Sequence, residues 1–299
     1  MPDTLFANVS ATGQSMILRA QALMPQMAPM INLVSKQSIG KGKTQADLPY
    51  VTSMATVQTP TEGDEVVFSD TFTISSISIT PGIKAIKFRI SKRAERFSQE
   101  QLVALVGDEI GRAEGQNVDE LLLNQFTNFH TDNDTGTTNV RMTFATLRAA
   151  NRKVIGTSVP NGGPPTGQKR SVVMSPIGYE DLLTNLGAQG AVNNANPWIP
   201  QGPSMDIMRT YAIPGGDLLG GVGIYWDGYL QGNLVNGAGD TLAGLFAEKA
   251  LWYVYSQEWE QDTFKESEWI GVILRADADY GVGVGPVNHW GAQITEDDA

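Results

Sequence analysis

The 299 residues predict an α+β protein, and three observations carry that prediction. One long stretch, residues 98–126, holds apolar residues at helical period. Stretches before and after it alternate apolar with polar residues, as half-buried strands do. A glycine- and proline-rich break at residues 161–167 separates two parts that each hold strands and helix.

The long stretch organises the rest. Leu102, Leu105, Val106, Ile110 and Ala113 recur at spacings of three and four, as do Val118, Leu121, Leu122 and Phe126. Ser98 and Gln101 form a capping-box pair at its start. At 1.5 Å per residue such a helix is roughly 43 Å long. Gly107, Gly111 and Gly115 fall four apart on one face. Each costs about 1 kcal/mol relative to Ala in a helix interior. They predict either a break near Gly115 or a helix built to bend or to be closely approached. Asp108, Glu109, Arg112 and Glu114 interrupt the glycine spacing, so it is not a membrane dimer motif.

Composition narrows the classes. Hydrophobic residues make up 41%, with 32 Gly and 15 Pro, which predicts loops and extended arms beside the cores. No run of eighteen apolar residues and no leader pattern appears, so no membrane partner is expected. Cysteine is absent, which excludes disulfides and thiolate metal sites. The net charge of −11 is uneven: +2 over residues 1–100, −2 over 101–200 and −11 over 201–299. That acidic last third argues against a dedicated nucleic-acid grip. Lys84, Lys87, Arg89, Lys92, Arg93 and Arg96 form a basic run; Glu258, Glu260, Asp262, Glu266 and Glu268 form an acidic one. Each reads as a solvated or interface face.

Taken in order, residues 1–45 read as an arm, because Pro25 and Pro29 break any regular helix among Met24, Met27 and Met30. Residues 46–80 read as a long hairpin, out over Val51–Val57 and back over Val66–Ile79. Its tip holds Pro60, Glu62, Gly63 and Asp64. The apolar phase slips between Ile74 and Ile77, which predicts a bulge near Ser75 and Ser76. Ile86, Phe88 and Ile90 alternate with Lys87 and Arg89, a strand leading into the long helix. Phe144–Val154 is a second helix and Arg170–Met174 a strand. Ser175 caps a third helix, with Pro176 first and Gly187 past its end. Residues 188–206 read as loop, and Val222–Leu230 as a strand pair turning at Asp227 and Gly228. Leu242–Ala247, Leu251–Tyr255 and Trp269–Ala276 read as strands, and the tail from Glu296 to Ala299 as loose.

Reactive constellations are missing. The segment Gly40–Thr44 lacks the first glycine of a phosphate loop, since Gln37 stands there. Residues 281–285 lack dinucleotide-loop spacing and read as a flexible strand end. Asp132, Asp134 and Gly136 open like a calcium loop, but Thr143 stands where the closing acid belongs. His130 and His289 are far apart in sequence and read as surface or packing residues. The six tryptophans read as packing. No catalytic residue, metal or cofactor is expected.

The order of parts resembles the major capsid protein of tailed bacteriophages, the HK97-like fold. The matching stretches are Ile83–Ile90 running into Ser98–Phe126, Val172–Pro176 with the helix after it, Leu218–Ile224, and Glu268–Val284. The resemblance implies an N-terminal arm at 1–45 and an extended E-loop hairpin at 46–80, whose tip at Pro60, Glu62, Gly63 and Asp64 meets a neighbouring subunit. It implies a P-domain at 81–155 plus 266–290, with a spine helix over about 98–126. It implies an A-domain at 156–265, whose loop at Ala188–Pro203 approaches the symmetry axis, and a C-terminal tail at 291–299.

By the same resemblance, copies self-assemble as pentamers and hexamers into an icosahedral head enclosing double-stranded DNA, without sequence-specific contact. The chain then resides in the virion after assembly in the host cytoplasm. Some relatives carry a cleaved scaffolding region before the arm; there is no room for one here, so a separate scaffolding protein is implied, with a portal and a decoration protein as further partners. Other relatives cross-link through a hairpin lysine, but Val51–Ile79 holds none. In the same frame Gly107, Gly111 and Gly115 are helix-bending positions during shell expansion. Two other readings are an encapsulin, a cellular nanocompartment of the same fold holding cargo in place of DNA, and a soluble α/β enzyme with a small-molecule pocket.

Overall fold

The computed structural model describes residues 18–20, 28–40, 43–51, 73–91, 99–156, 164, 168–192, 222–230, 240–264 and 271–297. In chain order the strands of the first half are β1 (Ser35–Ser38), β2 (Ala46–Val51), β3 (Ile74–Ile79), β4 (Gly82–Ser91) and β5 (Thr135–Gly136). Those of the second half are β6 (Arg170–Met174), β7 (Val222–Trp226), β8 (Thr241–Ala247), β9 (Leu251–Phe264), β10 (Gly271–Val284) and β11 (Gly291–Glu296). The helices are α1 (Gln99–Leu123), α2 (Phe144–Ile155) and α3 (Pro176–Val192). Helices and strands are mixed along the chain and the sheets carry antiparallel pairs, an α+β arrangement.

The chain forms two compact units from interleaved segments. Unit one takes residues 1–46, 78–122 and 252–283; unit two takes 47–77, 123–251 and 284–299. Unit one holds α1 and a four-stranded sheet in the order β1-β9-β10-β4. β1 runs parallel to β9, with Ser35 opposite Trp252. β4 runs antiparallel to β10, from Gly82 opposite Tyr280 to Ser91 opposite Gly271.

Unit two holds a five-stranded mixed sheet in the order β5-β11-β8-β6-β7. β6 is parallel to β7 and antiparallel to β8, while β11 is antiparallel to β8. Every residue of β8 is buried, so the strand is covered on both faces and shows no polar alternation. On one face Ala243 and Leu245 join Leu147, Ala150 and Val154 of α2 and Leu182 of α3 in one apolar core. On the other, Phe246 packs with Phe126 and Phe129 at ring separations of 5.7 and 6.3 Å. Two glycines make that aromatic face possible. A Cβ on Gly244 would stand 2.7 Å from the Phe126 ring, and one on Gly291 would overlap the Phe129 ring.

β2 and β3 pair as a separate two-stranded sheet, the base of the expected hairpin. β3 runs unbroken, with Ile79 buried and Ile74 60% exposed. The phase slip is taken up at least in part by exposing Ile74.

Other expectations need correction. The long helix ends at Leu123, and tight 3-10 turns continue from Asn124 to Asn128. The Ser98 cap lies outside the described residues. Gly187 does not stop α3, which runs on to Val192, into the stretch read as loop; one glycine costs only about 1 kcal/mol. The turn at Asp227 exists, with its carboxylate accepting from Tyr229 N at 2.8 Å. No second strand follows it among the described residues. β10 continues through the glycines to Val284, so residues 281–284 are ladder, not a loose end. Glu296 is fully buried at the end of β11 and is not loose.

Candidate functional site

The sequence singles out two places, the glycine face of α1 and the hairpin tip. Pro60, Glu62, Gly63 and Asp64 lie outside the described residues. Gly107, Gly111 and Gly115 are all buried on α1, and the helix passes through them without a break. They share their face with Ile110, Glu114, Val118, Asp119 and Leu122, which are buried too. This sequence of threes and fours sets the inward face around the glycines. Leu105, expected on the apolar stripe, is 70% exposed.

The four charged residues that interrupt the glycine spacing have different fates. The Asp108 carboxylate accepts two hydrogen bonds from the Arg19 guanidinium, which holds its pKa below the usual carboxylate value. Arg112 donates to Glu109 at 2.8 Å. These pairs are exposed and contribute little net stability. Glu114 is different: it is 1% exposed, and neither carboxylate oxygen has a hydrogen-bond partner among the described residues. Burial pushes its pKa up from 4.5 to about 8.

The surroundings of Glu114 are aromatic. Tyr253 of β9 and Tyr280 of β10 stand 5.6 Å apart; burial is the first cause that raises the pKa of both, followed by Tyr255, Glu114 and Glu258 for Tyr253 and by Tyr253 and Glu114 for Tyr280. The Tyr280 hydroxyl donates to Asn117 Oδ1 at 2.8 Å, tying α1 to β10. One turn further on, Asp119 accepts from Met30 N at 3.1 Å, so the helix also holds the arm. Glu114 was missed as a site because it was read only as a charge excluding a membrane motif. Its spacing from Ile110 and Val118 was the available signal.

His130 and His289 come together: their rings stack at 3.6 Å. His130 Nδ1 accepts from Asp132 N at 3.3 Å, and His289 is depressed in pKa by burial first and then by His130. The calcium-like stretch is used structurally. Asn133 donates to the carbonyls of His289 and Gly291 at 2.6 and 3.1 Å, and Lys153 donates to the Asp134 carbonyl at 2.6 Å. Among the described residues no group of three or more His, Asp or Glu could hold a metal ion, and no helix is long and apolar enough to cross a membrane.

No protein-family model matches the sequence. No curated protein matches it either. Solved structures do. The head structure of Helicobacter pylori bacteriophage KHP40 matches with a TM-score of 0.65 and 11% identity, over 91% of this chain and 92% of that one. The capsid of cyanophage Pam1 matches at 0.62 and 11%, over 89% of each. A virus-like particle from Pyrococcus furiosus matches at 0.55 and 9%, over 94% and 98%. At such identities the likeness is one of fold, and it covers about nine-tenths of the chain: this α+β protein has a fold found in those phage head and capsid structures.

Proposed function

We propose that the chain is the major capsid protein of a tailed phage, a structural subunit and not an enzyme. Copies assemble as pentamers and hexamers into an icosahedral head around double-stranded DNA. The observation that carries this reading is the likeness of fold to phage heads and capsids over about nine-tenths of both chains. The finer assignments belong to the same proposal. The arm and the hairpin at 46–80 lap onto neighbours, with the tip at Pro60, Glu62, Gly63 and Asp64 as a contact. α1 is the spine helix of a P-domain formed with β4, β9 and β10, and the five-stranded sheet is the body of an A-domain. A separate scaffolding protein and a portal complete the assembly. The acidity of the last third suits a wall that confines DNA without gripping it.

A second reading has one observation in its favour. The fold match to the Pyrococcus furiosus virus-like particle admits a shell that holds cargo in place of a packaged genome. Expression of the chain with candidate scaffolding proteins, followed by negative-stain electron microscopy, tests the shell reading. Closed shells or free rings of five and six are expected. A chain that stays monomeric with scaffold present contradicts it. Protein cargo inside particles isolated from the natural source, with no DNA, selects the second reading.

A further inference from the structure

We infer that Glu114 makes the seating of α1 against β9 and β10 a proton-controlled contact, held by the carboxylic acid and loosened by the carboxylate. The inference concerns the subunit itself and stands whether or not copies form a shell.

Burial without compensation is the starting point. Glu114 is 1% exposed, and neither of its oxygens has a hydrogen-bond partner among the described residues. Burying a carboxyl group in that way is costly, and burying it as an anion is far costlier. The groups around it do not offset the charge. β9 brings Tyr253, which stacks with Tyr255 and feels the Glu258 charge, and β10 brings Tyr280. Lys36 of β1 stands opposite Tyr253 and is exposed. Lys84 of β4 stands opposite Ala278, on the same face as Tyr280, and is partly buried. Neither ammonium group hydrogen-bonds to Glu114. On α1 itself, Asp108 and Glu109 take the guanidinium groups of Arg19 and Arg112, and Asp119 accepts from Met30 N.

The contact is also built to part. Glu114 shares its face with Gly111 and Gly115, both buried, so α1 can turn about its axis there without driving a bulky side chain into the sheet. One turn on, the Tyr280 hydroxyl donates to Asn117 Oδ1 at 2.8 Å across the contact. A turn of α1 that returns an ionised Glu114 to water gives up that hydrogen bond. Opening lets the carboxyl pKa fall from about 8 toward 4.5, so the open form sheds a proton that the closed form keeps. Opening is therefore favoured as pH rises between those values and gains nothing further above about 8.

Amide hydrogen exchange on the purified full chain tests this, with each rate divided by that of an unstructured chain at the same pH. Protection over residues 117–122 should fall about tenfold per pH unit from about pH 5 to 8 and level off above. At pH 8 it should lie at least about tenfold below the protection of β8 in unit two, because α1 then opens locally and not only by global unfolding. Glu114→Gln should hold α1 protection flat across the range. Tyr280→Phe keeps the carboxyl and removes the tie, so it should lower α1 protection about fivefold at every pH and keep the slope. Parent protection that is flat with pH, or equal to that of β8 throughout, overturns the inference. So does a slope that survives in the Gln variant, and so does a slope lost in Tyr280→Phe, which would assign the titration to the tyrosine.

Discussion

Glu114 is the residue with most to reveal about unit one, because it is a carboxyl group kept from water with no hydrogen-bond partner among the described residues. Its pKa stands near 8 in the fold against 4.5 when exposed, so the folded chain keeps a proton that the unfolded chain releases. Stability therefore falls as pH rises between those two values, and the loss is complete above about 8. Glu114→Gln should remove that dependence. Melting from pH 5 to 9 should show the variant gaining on the parent by a few kcal/mol, at about 1.4 kcal/mol per unit of pKa. Parallel melting curves at all pH values would contradict it. Gly244 and Gly291 set a second residue-scale expectation, since each yields its side-chain space to a phenylalanine ring. Gly244→Ala should cost about 1–3 kcal/mol by crowding Phe126, and Gly244→Ala with Phe126→Leu should recover part of it in chemical denaturation.

At the scale of elements, α1 and α3 show how much of a helix its local sequence decides. The start of α3 was legible: Ser175 Oγ accepts from Gly178 N at 2.9 Å, the cap that its position before Pro176 predicts. The second half of that cap was not legible. Glu296, more than a hundred residues away, places Oε1 2.9 Å from Ser175 N, and Gly178 leaves no room for a Cβ beside that carboxylate. Such a partner leaves no periodic trace, so the tail read as loose. Glu296→Ala should lower stability by about 1–3 kcal/mol, more than Ser175→Ala at about 1, because it leaves the buried Ser175 N–H without its acceptor. Hydrogen exchange in α3 would rise in both variants, and an unchanged rate in the Glu296 variant would sink the claim. On α1 the period was read correctly and Ile110, Val118, Leu122 and Phe126 of the stripe are buried as expected, but Leu105 lies outward and the glycines and Glu114 join the inward face. If the glycine row serves bending, Gly111→Ala should slow expansion of a precursor shell, followed by particle diameter, and an unaltered transition speaks against it.

At the scale of the whole molecule, the α+β class and most strands followed from period and turn residues, since local rules govern both. What the sequence alone did not yield was which strands share a sheet. β9 joins β1 across some two hundred residues, and β8 lies between β11 and β6. Such pairings depend on contacts distant in sequence, which composition and spacing do not encode. The basic and acidic runs were legible as charges; only the topology places Lys87 and Arg89 on β4 and Glu258 and Glu260 on β9 of the same sheet. The central claim, that this chain builds a shell, is tested most directly by the mass of the purified chain in solution, by light scattering with and without scaffolding protein. The account predicts particles at five and six times 32.2 kDa, or closed shells far above them. A single species at 32.2 kDa under every condition would contradict it.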